Sequence, residues 1–477
     1  MTPTEQQDRE RIAAMLANPA AIDSTAADFR SVLASVDKHG RRRWLFVHTI
    51  PGFWRRRRQM LAVVLIGFYL AVPFVTIGGH PFLRLDIPGR RFWLAGQAFW
   101  PQDLSYFLLF ILLGIIATLL AVAVLGRVFC GWLCPHNVFL EMVYRPIERL
   151  FQGDAFNRAR QARDGSGGAR RLATWVAWIL LSGALANTAT AIFTGTEAFK
   201  WGLIVDPVAH PAAAGFFAVF FAATLFNFSW FREQTCTIVC PYGRFQTVLL
   251  DPHSLVVGYD QQRGEPRGKV GATTGDCIDC KLCVAVCPTG IDIRNGNQLE
   301  CIHCTACVDA CDQVMTKLSR PTGLIRYASE ISLAGGKRQL LRPRTLIYAA
   351  ALVALLTITG FRLATRETIL ATLLRPVGMP VLVEDGGRSW IRQGITISLV
   401  NRSDADLVLT PRLPDEPEAR IYLQHPTIDL GHDTRIEVTP TIDLPKERFA
   451  GIDLRRPLTF TDASGSATTL TITLRSP

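Results

Sequence analysis

The chain reads as a three-part membrane protein. It has about five transmembrane α-helices, a cysteine-rich domain inserted before the last of them, and a C-terminal all-β sandwich of immunoglobulin type. Three observations carry this reading. Five long blocks are nearly free of charge, eight cysteines fall in two evenly spaced runs between residues 277 and 311, and beyond residue 376 apolar and polar residues alternate.

The blocks are residues 60–77, 104–126, 172–193, 212–231 and 345–361. Each is close to the ~20 residues that cross a bilayer as a helix. One such block also fits a buried helix of a soluble protein, but five do not, and the 49% hydrophobic content and mean hydropathy of +0.21 agree. The first block lies too far into the chain for a cleaved signal peptide. Basic residues set the orientation. Arg41–Arg43 and Arg55–Arg58 precede the first block, and Arg127, Arg145, Arg149, Arg158, Arg160, Arg163, Arg170 and Arg171 follow the second. The loop between the third and fourth blocks has only Lys200 as a basic residue. This bias predicts a cytoplasmic N-terminus and cysteine-rich segment, with the tail outside. The net charge of +11 is thus a topology signal, and arginines flanking spans argue against nucleic-acid binding.

The predicted organisation is a cytoplasmic arm (1–59), a four-helix membrane domain (60–250), the cysteine-rich domain (251–343), a fifth span (344–363) and a periplasmic sandwich (376–477). In the last, Ile395–Val400, Arg435–Val438, Leu458–Thr461 and Thr468–Leu474 alternate in the manner of strands, separated by turn residues. All 12 cysteines lie between residues 130 and 311, so the tail has no disulfide.

The two runs read Cys277-x-x-Cys280-x-x-Cys283-x-x-x-Cys287-Pro288 and Cys301-x-x-Cys304-x-x-Cys307-x-x-x-Cys311. This is the spacing of a bacterial-type 2[4Fe–4S] ferredoxin, in which three close thiolates hold one cube and the fourth crosses to the other. It assigns Cys277, Cys280, Cys283 and Cys311 to one cluster, and Cys287, Cys301, Cys304 and Cys307 to the second. Paired C-x-x-C also suits zinc, but eight cysteines in this order, with Pro288 after the fourth, favour iron–sulfur. Asp312 stands where a second proline would repeat.

The remaining four cysteines form two matching motifs, Cys130-Gly-Trp-Leu-Cys134-Pro135 after the second block and Cys236-Thr-Ile-Val-Cys240-Pro241 after the fourth. Blocks one and two with the first motif repeat as blocks three and four with the second, and such duplications place sites at the repeat interface. On a helix, residues i and i+4 share a face, so each motif would point two sulfurs one way. Soft thiolates select Cu(I), zinc or iron–sulfur clusters, while free cysteines also serve as small buried apolar residues. His136 offers a further ligand without a counterpart in the second motif. His303 is expected at the surface, and Met142 against lipid or core. Trp44, Trp54, Trp93 and Trp100 are expected as interface anchors.

Several segments resemble the cytochrome c oxidase accessory proteins called CcoG, FixG or RdxA. They are Trp100-Pro-Gln-Asp103, Gly126–Pro135, Arg232–Cys236, Cys240–Gln246, Arg263–Gly268, Cys287–Arg294 and Gly323–Tyr327. The resemblance covers nearly the whole chain. It implies a multi-pass polyferredoxin of the bacterial inner membrane, linked to maturation of a cbb-type oxidase and to reduction of Cu(II) to Cu(I). It further implies that Cys130, Cys134, Cys236 and Cys240 are the catalytic, copper-linked residues. A cytoplasmic electron donor, oxidase-assembly proteins and copper are the implied partners, with two copies of the chain associating as a further option. His136-Asn137 departs from the family's usual Gln-Thr, and the sandwich matches only loosely.

Two other readings stay open at this level. Electrons could pass to a quinone or a partner subunit, and with no C-x-x-C-H signature in this chain a partner would have to carry any haem. Alternatively, the protein could be a non-enzymatic assembly factor.

Overall fold

The computed structural model describes residues 34–36, 39, 41–87, 89–196, 207–268, 275–403, 405–425, 427–449, 452–462, 465 and 467–476. Most of the predicted arm and Lys200 lie outside these. Among the described residues five helices are long and apolar enough to cross a membrane: Phe53–Phe74, Pro101–Leu125, Gly168–Thr194, Pro211–Phe231 and Pro343–Ala364. The first begins earlier than the charge-free block, so Arg55–Arg58 lie in its opening turns and not before it. Arginine is a good helix former, and a count of uncharged residues cannot see it as helical.

The chain forms two compact units, Met1–Gln97 with Leu108–Leu355 and Ala98–Phe107 with Leu356–Pro477. In the first unit, the cysteine-rich segment is closed by an antiparallel pair, Leu255–Tyr259 with Ile325–Ser329. Val257, Ile293, Val308, Met315 and Ile325 form its core together with the cysteines. This segment shares the unit with the membrane helices, and one carboxylate explains much of the join. The first span begins with free backbone N–H groups, as every helix does. Asp309, between the third and fourth cysteines of the second run, accepts from the N–H of Trp54 (3.1 Å) and of Arg55 (2.8 Å). Gly52 lies so close to Asp309 that no Cβ fits there.

Of the four expected tryptophan anchors, Trp93 and Trp100 are buried. Trp93 stacks on His80 with ring centroids 4.7 Å apart, and Trp54 meets Trp132 edge-on at 6.0 Å. Packing partners thus take rings that composition alone would leave at an interface.

The C-terminal part of the second unit is two antiparallel sheets. One has the order Ile428–Leu430, Leu407–Arg412, Leu454–Asp462, Ala467–Leu474. The other has Arg420–Tyr422, Thr441–Pro445, Arg388–Asn401 and Arg435–Val438, with Ile369–Asp385 also paired to Arg388–Asn401. The alternation read from sequence does what it should: Leu458 and Phe460 are fully buried and share one core with Ile397, Leu399 and Leu409. In this unit Asp103, only 2% exposed, accepts from Arg366 (3.0 Å) and from Arg402, and its carboxylate also takes the N–H of Trp100 (3.1 Å). Removing one partner of such a buried set typically costs about 3–5 kcal/mol. Asp103→Ala is therefore expected to make residues 356–477 cleavable by protease at temperatures where the parent resists. Identical digestion profiles would show that the buried charges are not coupled.

Candidate redox site

The eight cysteines of the two runs line two separate cavities. Cys277, Cys280, Cys283 and Cys311 line one, whose remaining wall includes Leu282, Val314, Met315 and Leu324. Cys287, Cys301, Cys304 and Cys307 line the other, with Val257, Ile291 and Ile302, and Cys283 reaches both. Among the described residues no three His, Cys, Asp or Glu side chains converge closely enough to hold a single metal ion. Four thiols around one cavity are the donor set of a [4Fe–4S] cube.

The backbone shows what bends the runs into cages. Asp279 and Lys281 in the first run, and His303 and Thr305 in the second, all have positive φ, between 52° and 61°. Each pair occupies the same two places relative to its cysteines. A non-glycine residue there costs roughly 1–2 kcal/mol, and four at equivalent places mark a curl imposed by what the loops enclose. The thiols agree. Burial pushes Cys301 and Cys311 up to about 12 and Cys304 to about 11, with Cys283 and Cys307 well above their ordinary value. Neighbouring thiolates in an apolar cage are stable only with a cation to share, so metal binding must expel protons.

Both membrane-face motifs depart from the expected helical face. Each is a π-turn, Phe129–Leu133 and Thr235–Val239, closed by a bond from the N–H of Cys134 to Phe129 (2.8 Å) and of Cys240 to Thr235 (2.8 Å). Cys134 and Cys240 themselves are extended, with ψ of 120° and 108°. The following proline disfavours helical geometry at the residue before it, and the last turn widens in compensation. The two motifs are alike in these details, as a duplication requires.

The halves meet. The Cys130 thiol donates to Oε1 of Gln246 (3.0 Å), a fully buried residue on the helix after the second motif. Cys130 is pushed up to about 11 by burial, opposed by Arg127 and reinforced by Cys134 and Cys240. Cys236 rises to about 12 by burial, then by Cys134, Cys130 and Cys240. The four sulfurs are thus electrostatic neighbours. His136 does not join them: its Nε2–H donates to the Arg232 carbonyl (2.9 Å), its Nδ1 accepts from Asn227 (3.1 Å), and its ring stacks on Phe228. With both nitrogens engaged, it is a strut between the halves.

The first motif also rests directly on the second cysteine run. A Cβ on Gly131 would stand 2.5 Å from the Ile302 carbonyl oxygen and 3.0 Å from the Cys304 backbone. Arg58 of the first span donates from Nε to the Gly131 carbonyl (2.7 Å). Trp132 Nε1–H donates to the His303 carbonyl (3.3 Å), and the N–H of Arg127 donates to Nδ1 of His303 (3.1 Å). His303 is therefore fully buried, contrary to the surface position expected, because it caps the chain break after the second span. Burial, then Arg127, lowers it to about 3, so it is neutral. Gly131 and Gln246 lie in segments that carry the family resemblance but nothing in those strings marks their contacts, and Asp309 and Arg58 carry no motif signature.

Comparison with known proteins places iron–sulfur family matches over both parts. A "4Fe-4S dicluster domain" family model matches residues 231–330, and a "4Fe-4S binding domain" model matches residues 107–153. Protein RdxA of Cereibacter sphaeroides is 35% identical over 76% of this chain and 80% of its own length. The chain belongs to the FixG/RdxA family of polyferredoxins. Nitrogen fixation protein FixG of Rhizobium meliloti is 29% identical over 86% of the chain and 88% of its own length, and Protein RdxB of Cereibacter sphaeroides is 34% identical over 65% and 70%. This FixG/RdxA member is an iron–sulfur electron-transfer protein of the membrane.

Glu148 ties its two halves together behind the site. It pairs with Arg158 (3.0 Å) and with Arg232 (2.7 Å), the residue that leads into the second motif. Burial alone would raise this carboxyl, but Arg232 and Arg158 outweigh it and hold it at about 2, against an ordinary 4.5. A depressed carboxyl stabilises the fold above its unfolded value, and that stability is lost as pH falls through the folded value. The shift is worth about 3 kcal/mol. In denaturant unfolding, the parent's advantage over Glu148→Gln is expected to be about 3 kcal/mol at neutral pH, shrinking between pH 4.5 and 2. A pH-independent difference would contradict the assignment.

Proposed function

We propose that this protein reduces Cu(II) to Cu(I) at the membrane face, for assembly of a cbb-type cytochrome c oxidase. The observation that carries the reading is the seat of Gly131, between Cys130 and Cys134, against the backbone of Ile302 and Cys304. It sets the backbone of the second cage in direct contact with the first membrane-face motif.

Cys277, Cys280, Cys283 and Cys311 hold one [4Fe–4S] cluster, and Cys287, Cys301, Cys304 and Cys307 the other. When bound, the clusters supply one-electron carriage between a cytoplasmic donor and the substrate. The chain's own residues do the rest. The apolar cage walls keep water out. Cys130, Cys134, Cys236 and Cys240 receive the copper, and soft sulfur favours Cu(I) over Cu(II). Each Cu(II) takes one electron, and the donor loses one.

Dithionite is expected to bleach the cluster absorbance, and added Cu(II) to restore it as the clusters give up their electrons. The Cys130→Ala/Cys134→Ala variant should keep both cluster signals by electron paramagnetic resonance and lose at least tenfold in copper reduction. Unchanged reduction would sink the copper site and move the acceptor to a quinone or a partner subunit.

A second reading has its own observation. The "4Fe-4S binding domain" match over residues 107–153 includes Cys130 and Cys134 but none of the ferredoxin cysteines. If the four membrane-face cysteines held a third cluster, iron would approach about twelve atoms per chain. The copper reading predicts about eight in the parent and in the double variant alike.

The cytoplasmic placement of the ferredoxin part and the periplasmic placement of the immunoglobulin-like tail rest on arginine bias and an odd number of spans. A C-terminal alkaline phosphatase fusion is expected to be active, whereas a fluorescent C-terminal green fluorescent protein fusion would reverse the topology.

A further inference from the structure

Beside the second cage lies a pocket whose charge is unbalanced. Arg55 and Arg58 reach it from the first span, Arg145 and Arg149 from the helix Arg145–Gln152, and Arg158 from the next helix, Ala155–Asp164. Only two carboxylates, Glu141 and Asp309, share its wall, so five cations face two anions. Widening the count to Arg42, Arg232, Glu148 and Glu233, which pair behind the wall, and to Asp154, which faces the lining His48, still leaves two cations in excess.

The excess is not idle surface charge. Arg58, Arg145 and Arg158 are each at least nine-tenths buried. Each has partners: Gly131 for Arg58, Glu141 and Glu233 for Arg145, Glu148 and the Val47 carbonyl for Arg158. Yet each keeps one buried N–H group without a partner: Nη2 of Arg58, Nε of Arg145 and Nε of Arg158. The guanidinium groups of Arg55 and Arg149 make no ion pair among the described residues. Buried donors that stay unpaired call for a water or an ion. Guanidinium groups in a fixed array match the planar edges of phosphate and carboxylate. The pocket leaves about 30 Å³ for the centre of a water-sized sphere, room for two waters or one small oxyanion.

We propose that this pocket binds a small oxyanion of the phosphate class, free or on a lipid headgroup. Cys304 lines the same pocket, and Arg58 joins it to Gly131. An anion there adds negative charge beside the second cage, which disfavours adding an electron to whatever those thiolates hold. Occupancy therefore lowers the reduction potential of that cluster and leaves the other nearly unchanged. Binding stands without the iron, whereas the effect on potential rests on the cluster assignment.

The test uses purified holoprotein in detergent, delipidated or with native lipid, and inorganic phosphate as probe. Delipidated protein is expected to bind one phosphate saturably by equilibrium dialysis. Arg55→Gln/Arg149→Gln should weaken this at least tenfold with cluster content unchanged, while Arg160→Gln, on an exposed residue, should not. If the natural occupant is a headgroup, stoichiometric lipid phosphorus will copurify with the parent and not with the double variant. Phosphate should also lower the midpoint of one of the two cluster signals in a redox titration. No saturable phosphate and no retained lipid phosphorus would overturn the site, leaving the arginines as counter-charge to the cage thiolates. Binding without any change in midpoint would keep the site and overturn its link to the second cage.

Discussion

The close approach of Gly131 to the backbone of Ile302 and Cys304 is the constraint on which the rest depends. Electron transfer between parts distant in one sequence needs them held in close contact. A glycine permits that only if its neighbours are fixed. Arg58 holds the Gly131 carbonyl, Trp132 and Arg127 hold His303, and Asp309 caps the helix that carries Arg58. These bonds are interlocked, since each fixes a group that positions another. Two of these four, from Arg58 and from Arg127, are buried, where an unmade hydrogen bond costs about 1–3 kcal/mol. The ferredoxin segment is therefore built into the membrane unit and not tethered to it.

Duplication operates at two scales. In the cysteine runs, left-handed residues recur at matching places and give two similar cages. In the membrane part, two π-turns end at cysteine–proline, and Cys130 of the first bonds Gln246 on the helix that follows the second. The copies are not equivalent. Only the first motif touches the second run through its glycine, and only the first carries His136, which braces Arg232. Matching cysteines thus sit on an asymmetric frame.

What the sequence reveals here follows its physics. Cysteine spacing is chemistry written locally, so the runs and both membrane-face motifs are visible as strings. Spans are visible because twenty apolar residues have few other uses, although arginine hid the true start of the first. The strands Leu454–Asp462 and Ala467–Leu474 are legible from alternation, whereas short ones such as Arg420–Tyr422 and Ile428–Leu430 offer no period to count. The functional contacts are the illegible part. Gly131 with Cys304, Arg127 with His303 and Trp54 with Asp309 join residues more than 170 positions apart. Nothing local marks a glycine whose missing side chain is the point, or an aspartate that caps a distant helix. The π-turns were hidden for another reason: the proline that signals a break does not say how the turn before it adjusts.

The direct test of this account is the rate of electron delivery when the close seat is wedged open. Gly131→Val should be compared with the parent by stopped-flow mixing of dithionite-reduced protein with Cu(II), with both cluster signals first verified by electron paramagnetic resonance. The account predicts that oxidation of the clusters by copper slows at least tenfold while cluster content stays the same. An unchanged rate with intact clusters would show that electrons leave by another route, and that the contact between Gly131 and Cys304 is packing alone.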